Sequence, residues 1–250
     1  AMGTVGNAQA QKPQVDPGKQ VDPDKLLVIY DSSNSMWGEL DDGSRKYEAG
    51  RQALTELFQS ELGSLQLGLR AYGHRRAKDC SDTELLSDFS SEPEAHAESV
   101  EAAADMRPTG KTPISLSLRE GRNDLGEGGG DILLISDGVE TCSVDPCELM
   151  KEWAQSDVNI RVHVVGVGLS AIEREAMACI AETSGGAYFD ANSRDGFVDA
   201  IDEASRTVEV ATREPNPVRH ELDYVLLLDG RDEQGNEYLT EGKLFQNGEF

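Results

Sequence analysis

The segment that most constrains this chain is Leu26-Leu27-Val28-Ile29-Tyr30, which runs directly into Asp31-Ser32-Ser33-Asn34-Ser35. An apolar run of strand length without polar alternation describes a strand buried on both faces, as in a parallel sheet covered by helices. In open α/β sheets ligands bind just outside the carboxyl ends of such strands. Asp31, Ser33 and Ser35 therefore stand where that fold places a site. One carboxylate and two hydroxyls make a set of hard oxygen donors, suited to Mg²⁺ and equally open to Ca²⁺ or Mn²⁺.

A second strand is expected to end the same way. Asp131-Ile132-Leu133-Leu134-Ile135-Ser136 is short and apolar, and Asp137-Gly138 breaks it. Between the two strands lies Thr109-Gly110-Lys111-Thr112-Pro113-Ile114, a loop that opens a helix. Thr109 and Thr112 compete as the loop threonine. Thr112 is preferred because Pro113 suits the first helical turn and would leave Thr112 at the cap.

The three pieces, D-x-S-x-S, a loop threonine and a strand-terminal aspartate, occur in order over roughly residues 24–212. Together they resemble the von Willebrand factor A domain and its metal-ion-dependent adhesion site. The resemblance implies that Asp31, Ser33 and Ser35 are the D-x-S-x-S ligands. It implies that Thr112 is the loop threonine and that Asp137 is the last acidic ligand, often acting through water. Such motifs usually carry Gly where this chain has Asn34, and Asn tolerates a left-handed backbone better than most residues. Further segments are similar to a bacterial, exported subgroup of these domains: Ser35-Met36-Trp37-Gly38, Tyr72-Gly73-His74-Arg75-Arg76, Asp137-Gly138 with Glu140-Thr141-Cys142, Asp145-Pro146-Cys147, and Cys179-Ile180-Ala181-Glu182. Asn34, Trp37, His74, Arg75 and Lys111 are the candidate partner-facing residues. Packing competes with that role for Trp37, and loop salt bridges compete with it for His74 and Arg75.

The remaining pattern supports one doubly wound α/β domain with a mostly parallel sheet and one antiparallel edge strand, Rossmann-like in layout. Strands are expected near 26–31, 67–72, 160–167 and 187–189, besides 131–136, with Thr83–Phe89 as the returning edge strand. Helices are expected over 46–60, where Ala49, Ala53, Leu54, Leu57 and Phe58 recur at helical spacing, over the acidic, Ala-rich 93–106, over 113–125, ended by Gly126, over 146–156, over 171–183, stopped at Gly185-Gly186, and over 195–211. Residues 1–23, opening on Ala1-Met2-Gly3, read as a cloning remnant and flexible leader rich in Gln, Pro, Gly and Asp. From 213 a linker with Pro215 and Pro217 precedes a β-hairpin over 224–229 and 238–244. The hairpin is either an extension of the main domain or the first strands of a truncated second β domain.

Composition narrows the partners. Asp and Glu number 47 against 23 Lys and Arg, a formal charge of −24, which disfavours nonspecific attraction to nucleic acid or anionic membrane. No apolar stretch is long enough to span a bilayer, so no direct membrane insertion is expected within these residues, and a signal or anchor is not among them.

There are four cysteines, Cys80, Cys142, Cys147 and Cys179, without a zinc pattern. An even count is compatible with two disulfides and an oxidising compartment, hence export to the periplasm, medium or cell surface. Cys142 and Cys147 flank a Pro-containing loop, which makes them the expected pair. By the strand order that the resemblance implies, Cys80 and Cys179 lie far apart, with Cys179 free and buried. Crossed pairings of Cys80 with Cys142 or Cys147 stay open.

The expected function is a protein-recognition module in which a divalent cation at the site accepts a carboxylate from a partner's exposed Asp or Glu. No general base or nucleophile pattern is evident, so an enzyme is not expected. A cytosolic partner of an ATPase is the alternative, and a metal-dependent hydrolase a more distant one.

Overall fold

The apolar run forms β1 (Lys25–Asp31), buried from Leu26 onward, with a parallel neighbour on each side. On one side β2 (Gln66–Tyr72) sets Leu69 opposite Val28. On the other, β4 (Gly130–Ser136) sets Leu133 opposite the same residue. The computed structural model describes residues 24–60, 62–142, 144–156, 159–213, 225–231 and 237–243. Adding β3 (Thr83–Ser90), β5 (Ile160–Val167) and β6 (Tyr188–Ala191) gives a six-stranded sheet ordered β3-β2-β1-β4-β5-β6. All neighbours are parallel except β2 and β3, so the antiparallel edge strand stands where the sequence places it.

The lack of alternation in β1 has a direct cause. Leu26, Val28 and Tyr30 face one core cluster, which includes Leu54 of α1 (Lys46–Gln59), Ala103 of α2 (Pro93–Asp105) and Phe197 of α6 (Arg194–Arg213). Leu27 and Ile29 face a second cluster. It contains Leu118 of α3 (Ile114–Leu125), Leu149 of α4 (Pro146–Ala154) and Ile180 of α5 (Ala171–Ser184). Each fully buried Leu, Ile or Val contributes about 1.5–3 kcal/mol, so both faces demand apolar residues.

Element order and type match the sequence reading, and most ends shift by a residue or two, the usual uncertainty of helix termini. Two helix ends shift by two residues: α4 stops at Ala154 rather than Ser156, and α6 runs on to Arg213 rather than 211; the start of α4 is fixed by Asp145, whose side chain accepts from Cys147 N. A smaller difference bears on the site. Pro113 is the cap of α3 rather than its first residue, because its carbonyl already accepts from Ser117 N at 3.0 Å. Thr112 therefore precedes the cap.

Contacts divide the chain into two units, Ala1–Thr212 and Arg213–Phe250. In the second, β7 (Val225–Arg231) pairs antiparallel with β8 (Glu237–Lys243), Val225 opposite Lys243. The leader over 1–23, the Pro215–Pro217 linker and the hairpin loop over 232–236 lie outside the described residues.

Candidate metal centre

β1 and β4 are adjacent, and the chain winds outward from them in opposite directions, so their carboxyl ends frame the switch point of the sheet. Asp31 is the last residue of β1, Ser136 the last of β4, and Asp137 follows. Three loops close over this point. Ser32 N donates to Tyr72 O at 2.9 Å, tying the β1 loop to the end of β2. Asn34 N donates to Gly110 O at 3.1 Å, and Gly110 N donates to Gly73 O at 2.7 Å, which ties in the loop before α3. Gly73 is needed there: its φ is +70°, and a Cβ on it would lie 2.6 Å from Lys111 O.

These ties bring four of the five expected ligands into one hydrogen-bonded group. Asp31 Oδ1 accepts from Ser33 N at 2.7 Å. The Ser33 and Ser35 hydroxyls are 2.9 Å apart and share a hydrogen bond, and Ser35 Oγ donates to Asp137 Oδ1 at 2.6 Å. Thr112 is buried on the adjoining loop, but its backbone is what is tied: its N–H donates to Thr141 Oγ1 at 3.0 Å and its carbonyl accepts from Thr141 N at 3.2 Å. Thr109 has its hydroxyl committed to Arg107 O at 2.8 Å. Asn34 opens a short 3-10 turn, Asn34–Trp37, with no positive φ, so the left-handed backbone that would have explained it is not used.

Several participants were not singled out from sequence. Ser136 Oγ donates to Asp31 Oδ2 at 2.6 Å and accepts from the Tyr72 phenol at 2.9 Å. Lys46, the first residue of α1, donates to Asp137 Oδ2 at 2.9 Å. Ser136 left a signal, being the polar end of an apolar strand. Lys46 left none, since nothing in helix spacing says where the first side chain reaches.

The electrostatics favour a cation. Asp31 and Asp137 are both buried, and Lys46 supplies a single compensating charge beside Asp137. Burial first, then the neighbouring Asp137 carboxylate, push the Asp31 carboxyl up to about 6. Burial and the Asp31 charge also raise the Tyr72 phenol, which stays a donor. All donors are oxygens, two of them carboxylate groups carrying more negative charge than their surroundings offset. That chemistry fits Mg²⁺, Mn²⁺ or Ca²⁺ rather than a soft metal.

The partner-facing candidates divide. Asn34 and Lys111 are exposed. Trp37 is 40% exposed while its Nε1 donates to Pro108 O at 2.8 Å and its ring meets Tyr47 edge-on at 4.7 Å. His74 and Arg75 are held within their own loop region. His74 Nε2 lies 3.2 Å from Glu84, and Arg75 Nε donates to the buried Asp82 at 2.8 Å. Arg75 thus takes the competing salt-bridging role, and His74 is hydrogen-bonded to Glu84.

The disulfides correct the expected pairing. Cys142 does not bond Cys147, and Cys179 is not free. The bridges are Cys80–Cys142 and Cys147–Cys179, with Cα separations of 5.5 and 5.7 Å. Cys147 lies in the first turn of α4 and is buried, and α4 packs beside α5, which carries Cys179. Cys142 remains in the loop after β4. That loop and the one after β2, which carries Cys80, both lie at the carboxyl edge of the sheet, where β2 and β4 flank β1.

No family model matches the chain. The fold is the one found in von Willebrand factor type A structures. The chain superimposes on a von Willebrand factor type A structure from Catenulispora acidiphila with a TM-score of 0.60 at 15% identity, covering 75% of this chain and 43% of that one. For the pilus adhesin SpaC of Lactobacillus rhamnosus GG the TM-score is 0.62 at 17% identity, covering 76% and 31%. The vWF domain of the type V pili tip protein Mfa5 from Porphyromonas gingivalis gives 0.57 at 13% identity, covering 76% and 96%. This chain thus spans less than half of SpaC and of the Catenulispora protein.

In sequence the chain is similar to two proteins of Bacillus subtilis (strain 168). It is 28% identical to the uncharacterized protein YwmD over 213 residues, 80% of this chain and 93% of that protein. It is 27% identical to the uncharacterized protein YwmC over 180 residues, 68% and 77%.

Proposed function

We propose that this chain is a metal-dependent protein-recognition module of the adhesion or assembly kind. Asp31, Ser33, Ser35, Thr112 and Asp137 would hold a divalent cation, directly or through water, and an exposed Asp or Glu of a protein partner would complete its coordination. The observation that carries the reading is the convergence of Asp31, Ser33, Ser35 and Asp137, from two strands about a hundred residues apart, into one connected group at the switch point. The kinds of protein that share the fold, a pilus adhesin and a pilus tip protein among them, agree with it.

The surface around the group suits a partner. Among the described residues the exposed large apolar side chains are Trp37, Val144 and Ile172. Each lies on a segment that follows the carboxyl end of a parallel strand, β1, β4 or β5, on the edge of the sheet that carries the site. The two disulfides support export over the cytosolic, ATPase-associated alternative, because thiols in the cytosol are kept reduced. Among the described residues no helix is long and apolar enough to cross a membrane.

The test is an array of short Asp- and Glu-containing peptides probed with the purified protein in MgCl₂, MnCl₂ or EDTA. Binding that needs a metal and disappears in Asp137→Ala supports the reading. Binding that survives EDTA assigns recognition to another surface.

A further inference from the structure

Lys46 stands eleven residues beyond Ser35, at the start of α1, and its ammonium is seated inside the group just described. Nζ lies 2.9 Å from Asp137 Oδ2, and the two side chains are 12% and 0% exposed. An ammonium is strongly hydrated and ordinarily keeps its head in water, so this placement is not the default for a lysine at a helix start.

The stem has a formed path. A Cβ built on Gly168 would lie 3.1 Å from Lys46 Cε and 3.4 Å from Nζ; one on Gly38 would lie 3.5 Å from Cε. Two backbone segments thus border the stem, and side chains at these positions would crowd it. Both segments are fixed. Lys46 N donates to Gly38 O at 3.0 Å, and Gly168 N donates to Ala191 O at 2.8 Å. The head then meets a carboxylate whose other oxygen already accepts from Ser35.

We propose that Lys46 is the built-in cation of this site: it holds Asp137 and Ser35 in place without metal and lowers the affinity for a divalent ion. The inference rests on the metal-site reading above. With Lys46 present, Asp31 and Asp137 offer an incoming ion one net negative charge; without it they offer two. At the effective dielectric of a partly buried site, a unit charge a few ångströms away changes affinity by about tenfold or more.

The experiment is calorimetric titration of MgCl₂, MnCl₂ and CaCl₂ into wild type, Lys46→Met and Asp31→Asn, with thermal melts of each in EDTA. Met fills the slot with a stem of similar volume and no charge. Lys46→Met is expected to bind at least one of the ions about tenfold more tightly than wild type. It is also expected to melt below wild type in EDTA and to regain the difference when metal is added. If Lys46→Met does not fold, Lys46→Gln, which keeps a hydrogen-bond donor, takes its place. Equal or weaker affinity in the Lys46 variant, with wild-type binding abolished by Asp31→Asn, overturns the inference and leaves the metal site standing. Absence of binding in both wild type and the Lys46 variant overturns the metal site and this inference with it.

Discussion

Ser136 Oγ donates to Asp31 Oδ2 at 2.6 Å, joining the ends of two adjacent strands across 105 residues of sequence. The same oxygen accepts from Tyr72, so a phenol, a hydroxyl and a carboxylate form a buried chain under the proposed ion. Ser136→Ala leaves a buried phenol and a carboxylate oxygen without their partner. The expected cost is about 2 kcal/mol in urea unfolding, since stranding a buried polar group loses its full desolvation penalty. A change below about 0.5 kcal/mol, within the range of a neutral surface substitution, would show that the chain of hydrogen bonds does not matter to stability.

The Asp31 carboxyl gives the metal-free protein a particular pH dependence. Its folded value of about 6 stands above the ordinary 3.8, so between these values the folded state keeps a proton that the unfolded chain has released. Stability from this group is therefore complete below about pH 4 and is lost as pH rises to about 6. The displacement corresponds to about 3 kcal/mol. In EDTA, Asp31→Asn should melt higher than wild type at pH 7 and lack this part of the decline. A divalent ion requires the ionised form, so its affinity should fall as pH drops through about 6.

The disulfides make a separate claim. Peptide mapping under non-reducing conditions should return Cys80–Cys142 and Cys147–Cys179, and a Cys142–Cys147 peptide would contradict the fold of the loop after β4. The first bridge closes a sequence separation of 62 residues. On chain-entropy grounds, replacing both of its cysteines by serine should cost about 4 kcal/mol, a figure that depends on the model of the unfolded state. Because the bridge ties the Cys80 loop to the loop bearing Thr141, the partner of Thr112, its loss should also weaken metal binding.

The contrast between Asp31 and Lys46 shows what sequence carries and what it does not. Asp31 and Asp137 were legible because each follows an apolar run buried on both faces, and a strand's carboxyl end locates a site in this architecture without further information. Thr112 lies on the loop before α3 as its sequence neighbours indicate, but its relation to the helix cap depended on the single residue that decides where α3 begins. Lys46 was illegible because its role depends on a path between Gly38 and Gly168, residues 130 positions apart that only the folded loops bring together. The disulfide pairing was misjudged for a related reason. Proximity along the chain favoured Cys142 with Cys147, whereas the start of α4 at Pro146 turns Cys147 toward α5.

The central claim, a divalent-cation site at the carboxyl ends of β1 and β4, is tested most directly by thermal melting of the metal-free protein with and without millimolar MgCl₂, MnCl₂ or CaCl₂, beside Asp31→Ala. An ion that binds the native state alone raises stability by mass action, by about 2.7 kcal/mol at a hundredfold excess over its dissociation constant. The account predicts a higher melting temperature for wild type with at least one of these ions and no metal-dependent shift for Asp31→Ala. Identical melting of wild type with and without every ion, or an equal shift in the variant, would contradict it.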